Sequence, residues 1–141
     1  VRRSTFNKVT KIVRGGKETQ DSVYTGILAL DERCDIVLSH DGARPFVKME
    51  NIVDGIKSAS EHGACVVGVP VKDTIKVVGN HNNIDKTPNR DLLWAAQTPQ
   101  CFKKHIIMEG YRRAIEDGFV GTDDGAIVER LGLDVKMVMG S

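Results

Sequence analysis

A cluster of polar residues directly follows a short apolar run. The run is Ile36–Leu38, and the cluster holds His40, Asp41, Gly42 and Arg44. The run predicts a buried strand, and open α/β sheets bind ligands beyond the carboxyl ends of their strands. An aspartate there can hold a metal ion or a ribose hydroxyl, a glycine lets backbone approach a ligand, and an arginine offers paired donors to a phosphate. We expect a ligand site here; the alternative is a helix-start loop with an Asp–Arg surface pair.

A second group of basic and hydroxyl side chains lies further along the chain. Lys72, Thr74 and Lys76 would share one face of a strand because side chains alternate. All three suit a phosphate, although lysines that protect an exposed edge strand would give the same pattern. Arg90 precedes an apolar stretch, and on its own it is more often a surface arginine.

Two further stretches are weaker indications. Gly15, Gly16, Lys17 and Ser22 lie in a glycine-containing turn before a predicted helix, where exposed amides and a hydroxyl could cradle a base or a ribose. Most such turns are only turns. The stretch Thr122–Asp124 is typical of a helix start, with Thr122 as the N-cap and two acids in the first turn.

The composition is that of an ordinary globular domain. The 141 residues include 20 basic and 19 acidic side chains, for a formal net charge of +1, which favours neither nucleic acid nor a membrane surface as a partner. The sequence contains no apolar run of membrane-spanning length. Cys34, Cys65 and Cys101 match no zinc or redox spacing and predict reduced thiols in a cytosolic compartment. Cys34 and Cys65 lie beside apolar runs and are expected to be packed.

The elements that must position these groups alternate between strands and helices. This order predicts an α/β fold with a doubly wound, mostly parallel sheet. The apolar face of the second helix is expected at Ile52, Val53, Ile56 and Ala59. The predicted elements are a strand at Phe6–Val13, a helix from Asp21 or Ser22 to Leu30, a strand at Asp35–Ser39, a helix at Lys48–Glu61 and a parallel strand at Ala64–Val71.

Residues 72–93 interrupt this alternation. Two strand-like segments, Thr74–Val78 and Ile84–Leu93, flank the turn cluster Gly79–Asn83 and predict a β-hairpin arm. The arm is mostly polar, and an isolated hairpin is marginal in water, so we expect it to pack on something, for example another subunit. No element is assigned to Trp94–Gln100. A helix at Lys104–Asp117 closed by Gly118, a helix at Asp123–Leu131 and a strand at Val135–Met139 complete the prediction.

Four motifs carry a resemblance to a known family, and it extends over about residues 9–141. In this order and spacing they closely resemble 2-C-methyl-D-erythritol 4-phosphate cytidylyltransferases. The resemblance implies a Rossmann-like α/β nucleotidyltransferase that uses magnesium, joins CTP to 2-C-methyl-D-erythritol 4-phosphate and releases diphosphate. It also implies a homodimer formed through the arm at residues 72–93. The motifs are His40–Pro45 (HDGARP), Pro70–Lys76 (PVKDTIK), Leu93–Phe102 (LWAAQTPQCF) and Thr122–Asp124 (TDD).

The resemblance also implies roles for individual residues. Asp41 and Gly42 would lie at the CTP ribose, with Asp41 as the ligand of Mg²⁺, and Arg90 would orient the substrate phosphate for attack as the catalytic residue. Arg44 and Thr74 would serve either their own subunit's site or, if the arm is swapped, the partner subunit's. The nucleotide-binding set is Gly15, Gly16, Lys17, Ser22, Asp41 and Gly42, and the set that binds methylerythritol phosphate is Arg44, Thr74, Lys76, Arg90, Thr98 and Thr122.

The sequence also departs from the family pattern. The family's glycine-rich loop, which cradles the triphosphate, and its C-terminal substrate-positioning lysine have no counterpart here. Gly42 stands where alanine is usual, and Thr19 where arginine is common. We therefore expect residues 1–141 to form a single nucleotidyltransferase domain with little or no activity when made alone.

Two alternatives stay open. One is a ribitol 5-phosphate cytidylyltransferase of the same fold, and the other is a noncatalytic α/β binding or assembly module. The expected location is the cytoplasm, or a plastid if a transit peptide was removed from a eukaryotic precursor.

Overall fold

Helices and strands alternate along the part of the chain that the structure describes. The computed structural model describes residues 19–30, 32–40 and 47–140, so the strand predicted at residues 6–13 lies outside the described residues. The helices are α1 (Thr19–Leu28), α2 (Met49–His62), α3 (Lys104–Asp117) and α4 (Asp124–Glu129), and the strands are β1 (Ile36–Ser39), β2 (Ala64–Pro70), β3 (Val77–Val78), β4 (Ile84–Lys86), β5 (Trp94–Lys103) and β6 (Lys136–Met139).

The main sheet has four strands in the order β1-β5-β2-β6. Strand β5 pairs antiparallel with both β1 and β2, whereas β6 pairs parallel with β2. Consequently β1, β2 and β6 run in one direction, and β5 runs against them. The α/β fold class is confirmed, and the described sheet is mixed because of β5.

Strand β5 is the element that the sequence analysis left unassigned. Its pairing with β2 is interrupted between Val66 and Gly68, opposite residues 97–99 of β5. Pro99 lies in this interruption, where the ladder needs no backbone N–H from it. Because Pro99 lies inside this segment, the sequence pattern does not indicate a strand here. The irregularity also places Thr98 in a stretch that is free of regular pairing with β2.

The two faces of the sheet carry different helices. Because side chains alternate along a strand, the cross-strand pair Ala64 and Phe102 points to one face, and the next pair, Cys65 and Cys101, points to the other. The first pair packs in a cluster with buried residues of α1, α3 and α4. The second pair packs against Ala59 of α2. Helices therefore cover both faces, as the doubly wound prediction requires.

Helix α2 contacts the sheet through small residues. Its buried residues are Asn51, Gly55 and Ala59, so of the predicted apolar face Ala59 is buried and Ile52 is half-buried. Val53 and Ile56 are exposed instead. The close approach explains the difference, because a Cβ added at Gly55 would lie 2.9 Å from the Sγ atom of Cys101. Hydrophobic periodicity detects large apolar side chains, whereas α2 lies close to the sheet because Gly55 and Ala59 are small.

The thiols beneath α2 are free and fully buried. Cys65 and Cys101 face each other across β2 and β5, and the Cys65 thiol donates to the carbonyl oxygen of Gly55 at 3.0 Å. The Cys101 thiol hydrogen-bonds to Cys65 and is desolvated by burial, and both effects raise the pKa of Cys101. The prediction of a packed thiol is confirmed for Cys65, whereas Cys34 is only half-buried.

Residues 72–93 form the predicted hairpin arm. Strands β2 and β5 pair as far as Pro70 and Trp94, and beyond that pair the chain continues into the antiparallel strands β3 and β4. These strands are shorter than predicted. Lys72, Thr74 and Lys76 precede β3, so the prediction that they share one face of a strand was wrong. The arm exposes several apolar side chains to solvent: Val78 (55%), Ile84 (60%) and Leu92 (79%).

Helix α3 follows the prediction, whereas α1, α4 and β1 depart from it. Helix α3 has the predicted bounds and ends at Gly118 in the left-handed conformation. Helix α1 begins at Thr19 and ends at Leu28, earlier than predicted at both ends. The prediction of a buried strand at Ile36–Leu38 was wrong about burial, because β1 has only half-buried or exposed side chains. None of the helices in the described residues is long and apolar enough to cross a membrane.

Candidate functional site

The end of β1 and the irregular stretch of β5 meet through a side-chain hydrogen bond. Ser39 pairs with Gln100, so the chain leaves β1 level with the Thr98–Pro99 segment. Oγ1 of Thr98 lies 3.0 Å from Nδ1 of His40. The end of β1 is therefore next to Thr98. Asp41, Gly42 and Arg44 themselves lie outside the described residues.

A buried amide connects this strand end to the start of α4. Gln100 is only 4% exposed. Its Nε2 donates to Oδ2 of Asp123 at 3.1 Å and to the Gln97 carbonyl at 3.2 Å, and its Oε1 accepts from the backbone N–H of Gly125 at 2.9 Å. These bonds hold the loop that carries Thr122 in a set position relative to the strand that carries Thr98.

Asp123, rather than Thr122, is the N-cap of α4. Its Oδ1 accepts from the backbone N–H of Ala126 at 2.8 Å, so the prediction of Thr122 as the cap was wrong. Asp123 takes the N-cap position because one of its carboxylate oxygens caps the helix while the other accepts a hydrogen bond from Gln100. Thr122 is left exposed, one residue ahead of the cap.

The second acid of this motif, Asp124, also has a structural role. Asp124 accepts a hydrogen bond from the hydroxyl of Tyr111, which is 2% exposed. Burial, and then this bond to Asp124, raise the pKa of Tyr111 above its ordinary value. The two carboxylates of the 122–124 motif therefore fix α4 against β5 and α3.

Helix α1 holds the other side of the same loop. Nε2 of Gln20 donates to the Phe119 carbonyl at 2.9 Å, and its Oε1 accepts from the N–H of Gly121 at 3.0 Å. A cleft of about 820 Å³ lies between α1, the end of α3 and this loop, and Gln20 and Thr122 are among its lining residues. Thr98 does not line it, so this cleft and the predicted substrate site share Thr122 but are not the same feature.

The arm holds a separate part of the predicted site. Arg90 donates from its guanidinium to the carbonyl oxygen of Lys72 at 2.6 Å, across the base of the arm. Lys76 donates to Oγ1 of Thr87 at 3.0 Å. Thr74 is exposed on the same segment. The structure therefore groups Thr98 with His40 and links Thr122 to them through Gln100, whereas Thr74, Lys76 and Arg90 lie on the arm.

The predicted nucleotide-binding residues fall mostly beyond the described ranges. Gly15, Gly16 and Lys17 lie outside them, as do Asp41 and Gly42, so their roles stay predictions. Ser22 lies on α1 and is half-buried.

The described residues alone do not form a metal centre. Within residues 19–30, 32–40 and 47–140, no group of three or more His, Cys, Asp or Glu side chains could hold a metal ion. The carboxylates of Asp123 and Asp124 accept the bonds given above. The metal site predicted at Asp41 is therefore not tested by the described structure.

Three polar residues of this region were missed or undervalued by the sequence analysis. His40 was part of the polar cluster but received no role, and Gln20 and Gln100 were read only as parts of motifs. Gln20 and Phe119 are 99 residues apart in sequence, and Gln100 and Asp123 are 23 apart. The one available indication was a polar residue, Gln100, directly before the apolar pair Cys101 and Phe102.

Comparison with solved structures places this arrangement among α/β nucleotidyltransferases. The structure matches the 4-diphosphocytidyl-2C-methyl-D-erythritol synthase of Anaerococcus prevotii with a TM-score of 0.90 and 32% sequence identity, over 98% of this chain and 64% of that one. Residues 3–141 match the family described as IspD: 2-C-methyl-D-erythritol 4-phosphate cytidylyltransferase. The chain belongs to this family, as its four motifs predicted.

Close relatives agree with this membership. The chain is 55% identical over 135 residues to the 2-C-methyl-D-erythritol 4-phosphate cytidylyltransferase of Caldanaerobacter subterraneus subsp. tengcongensis, covering 96% of this chain and 60% of the relative. It is 54% identical over 134 residues to the enzyme of that name from Clostridioides difficile, covering 95% and 56%. The chain thus spans somewhat more than half the length of these relatives.

Proposed function

We propose that the full-length protein transfers a cytidylyl group from CTP to 2-C-methyl-D-erythritol 4-phosphate. A phosphate oxygen of the sugar phosphate attacks the α-phosphorus of CTP. The new P–O bond forms as the bond between the α-phosphorus and the β-phosphate oxygen breaks, and diphosphate leaves. The observation that carries the proposal is family membership over residues 3–141, together with relatives at 55% and 54% identity that bear this name.

The described side chains are suited to such a reaction. Phosphoryl-type transfer depends chiefly on positioning and charge stabilisation. Thr98 and Thr122 carry hydroxyls in the irregular stretch of β5 and in the loop before α4, and the buried Gln100 connects these two segments. In this proposal the positively charged guanidinium of Arg90, at the base of the arm, orients the substrate phosphate.

The proposal includes a magnesium ion with Asp41 as its protein ligand. Mg²⁺ retains several waters and is commonly held by one or two carboxylates together with substrate phosphates. Asp41, which follows β1 in the sequence, would be such a carboxylate. When bound, the ion would neutralise charge on the phosphates.

The test is a coupled assay of diphosphate release from CTP by the full-length protein. The proposal expects turnover with methylerythritol phosphate, at least tenfold less with ribitol 5-phosphate and none without an acceptor. Preference for ribitol 5-phosphate would favour the alternative cytidylyltransferase. CTP binding in calorimetry without any turnover would favour a noncatalytic module. Thr98→Val should weaken use of the sugar phosphate, and Thr98→Ser, which keeps the hydroxyl, is its matched control.

The arm at residues 72–93 is part of the proposal as a homodimer contact. Its exposed side chains Val78, Ile84 and Leu92 would bury apolar area against a second copy, which would also stabilise an otherwise marginal hairpin. A cytoplasmic location is proposed as well, supported by the free thiols of Cys34, Cys65 and Cys101.

A further inference from the structure

Thr122 lies between two residues that are held by side-chain amides from different parts of the fold. The residue before it is Gly121, whose backbone N–H donates to Oε1 of Gln20 in α1 at 3.0 Å. The residue after it is Asp123, whose carboxylate accepts from Nε2 of Gln100 in β5 at 3.1 Å. The backbone on each side of Thr122 is therefore fixed to a different element.

The side-chain amide of Gln20 matches two backbone groups of this loop. Its Nε2 donates to the carbonyl of Phe119 at 2.9 Å, while its Oε1 accepts from the N–H of Gly121. A carbonyl can only accept and an N–H can only donate, so this orientation of the amide is the one that satisfies both groups. Because the two groups flank Val120, the pair of bonds restricts the backbone dihedral angles just before Thr122.

The side chains of this loop give its backbone little support by packing. Val120 is 76% exposed, and Thr122 is exposed as well. Segments with few buried apolar contacts open locally at a low cost in free energy. The two hydrogen bonds to Gln20 therefore matter for keeping the backbone ahead of Thr122 in one conformation.

We propose that Gln20 is a positioning residue for the sugar phosphate, because it fixes the backbone of residues 119–121 and so places the Thr122 side chain where the substrate binds. This inference rests on the proposed function for the identity of the ligand and for the role of Thr122. Gln20 itself acts through Thr122. Helix α1 thereby takes part in binding methylerythritol phosphate, in addition to the nucleotide role predicted for Ser22 of the same helix.

The kinetic test uses variants of the full-length protein. Gln20→Leu removes both bonds at similar side-chain size, and Gln20→Asn keeps the amide but is one methylene shorter and cannot reach both groups. Each should raise KM for methylerythritol phosphate about five- to tenfold, because a misplaced hydroxyl loses most of a hydrogen bond to a charged group. KM for CTP should change less than about twofold. The matched control is Thr25→Val, which removes a polar group from the same helix and leaves the bonds of Gln20 in place.

A double-mutant cycle separates positioning from a merely structural role. In a Thr122→Val background, Gln20→Leu should lower kcat/KM for the sugar phosphate by less than about twofold, because the hydroxyl that it positions is already gone. In a Thr122→Ser background, which keeps the hydroxyl, the same change should still cost about five- to tenfold. Equal losses in the two backgrounds would overturn the proposal. Equal increases in KM for CTP and for the sugar phosphate in Gln20→Leu would overturn it as well.

Amide hydrogen exchange, followed by NMR, tests the contact without catalysis. In wild type the N–H of Gly121 should exchange at least about tenfold more slowly than in an unstructured chain, and Gln20→Asn should remove most of this protection. The N–H of Ala126, which donates to Asp123 at 2.8 Å, should keep its protection in the variant. An unprotected Gly121 in wild type would overturn the role of Gln20 even in a fully active enzyme, and this measurement does not depend on the folding of any variant. A wild-type protein without cytidylyl transfer would instead contradict the proposed function, so the two failures are distinguishable.

Discussion

The side chains of Gln100 and Asp123 are joined by a hydrogen bond of 3.1 Å between Nε2 and Oδ2. The same aspartate caps α4 through its other oxygen, and the same glutamine accepts from the N–H of Gly125 in the first turn of that helix. Strand β5 and helix α4 are thereby fixed to each other by groups that are largely withdrawn from water. This pair determines where Thr98 and Thr122 lie relative to each other.

Replacing the amide of Gln100 by a carboxylate should destabilise the protein strongly. Gln100→Glu keeps the size and the acceptor for Gly125, but it removes the donor to Asp123 and brings two carboxylates together. We expect the free energy of unfolding to fall by about 2–4 kcal/mol, measured by chemical denaturation of the full-length protein. Gln97→Glu is the control, because Gln97 contributes its backbone carbonyl to this network. Equal losses in the two variants would contradict the importance of the buried amide.

A methyl group at Gly55 should push α2 off the sheet. The added Cβ would lie 2.9 Å from Sγ of Cys101, and the buried sulfur has little room to move. We expect Gly55→Ala to lower the free energy of unfolding by about 1–3 kcal/mol. Gly26→Ala in α1 is a matched helical control, because its Cβ would meet nothing within 4 Å. That control should be neutral or gain up to about 1 kcal/mol from reduced backbone entropy.

Tyr111 should make stability depend on pH in the alkaline range. Burial and the bond to Asp124 raise its pKa above the ordinary value of 10.0, so the unfolded state loses the tyrosine proton first as the pH rises. The stabilisation is therefore complete below pH 10 and declines above it, by up to about 1.4 kcal/mol per pH unit. Tyr111→Phe cannot ionise there.

The measurement is the free energy of unfolding of wild type and Tyr111→Phe between about pH 8 and pH 11. Wild type should be the more stable protein at pH 8, and the gap should narrow as the pH rises above 10. Effects of the other titrating groups are common to both proteins and cancel in the difference. A gap that stays constant over this range would contradict the raised pKa.

Charges placed on the arm should separate the proposed dimer. Ile84 and Leu92 are 60% and 79% exposed in the single chain. In sedimentation equilibrium, Ile84→Lys combined with Leu92→Lys should raise the dimer dissociation constant at least about tenfold, since two buried apolar side chains would be lost. Leu133→Lys, at a 46% exposed leucine off the arm, should leave the dimer intact. A wild-type protein that sediments as a monomer, or equal effects of both variants, would rule out the arm as the contact.

Much of the fold could be predicted where local chemistry alone decides the structure. Helix α3 was placed at Lys104–Asp117 because its apolar residues recur at helical spacing and Gly118 ends it. The arm was found because its turn cluster separates two strand-like segments. In contrast, β5 was missed because Pro99 lies within it, and proline usually rules out an interior strand.

The parts that failed depend on tertiary contacts. The buried face of α2 was wrong because Gly55 packs by being small, which no hydrophobic period reveals. Thr122 was expected to cap α4, but Asp123 is the N-cap. The second carboxylate oxygen of Asp123 accepts a hydrogen bond from Gln100, which holds Asp123 in that position. The four motifs together predicted the family correctly. The hydrogen bonds of Gln20 and Gln100 could not be predicted in the same way, because they join residues far apart in sequence.

The most direct test of the central claim is ³¹P NMR of the full-length protein with CTP, magnesium and methylerythritol phosphate. Cytidylyl transfer predicts that the sugar phosphate resonance is replaced by a pair of coupled diphosphodiester resonances, with one equivalent of diphosphate formed for each. It also predicts that no free CMP accumulates. Unchanged CTP and sugar phosphate, or CTP breakdown without the diphosphodiester, would contradict the account.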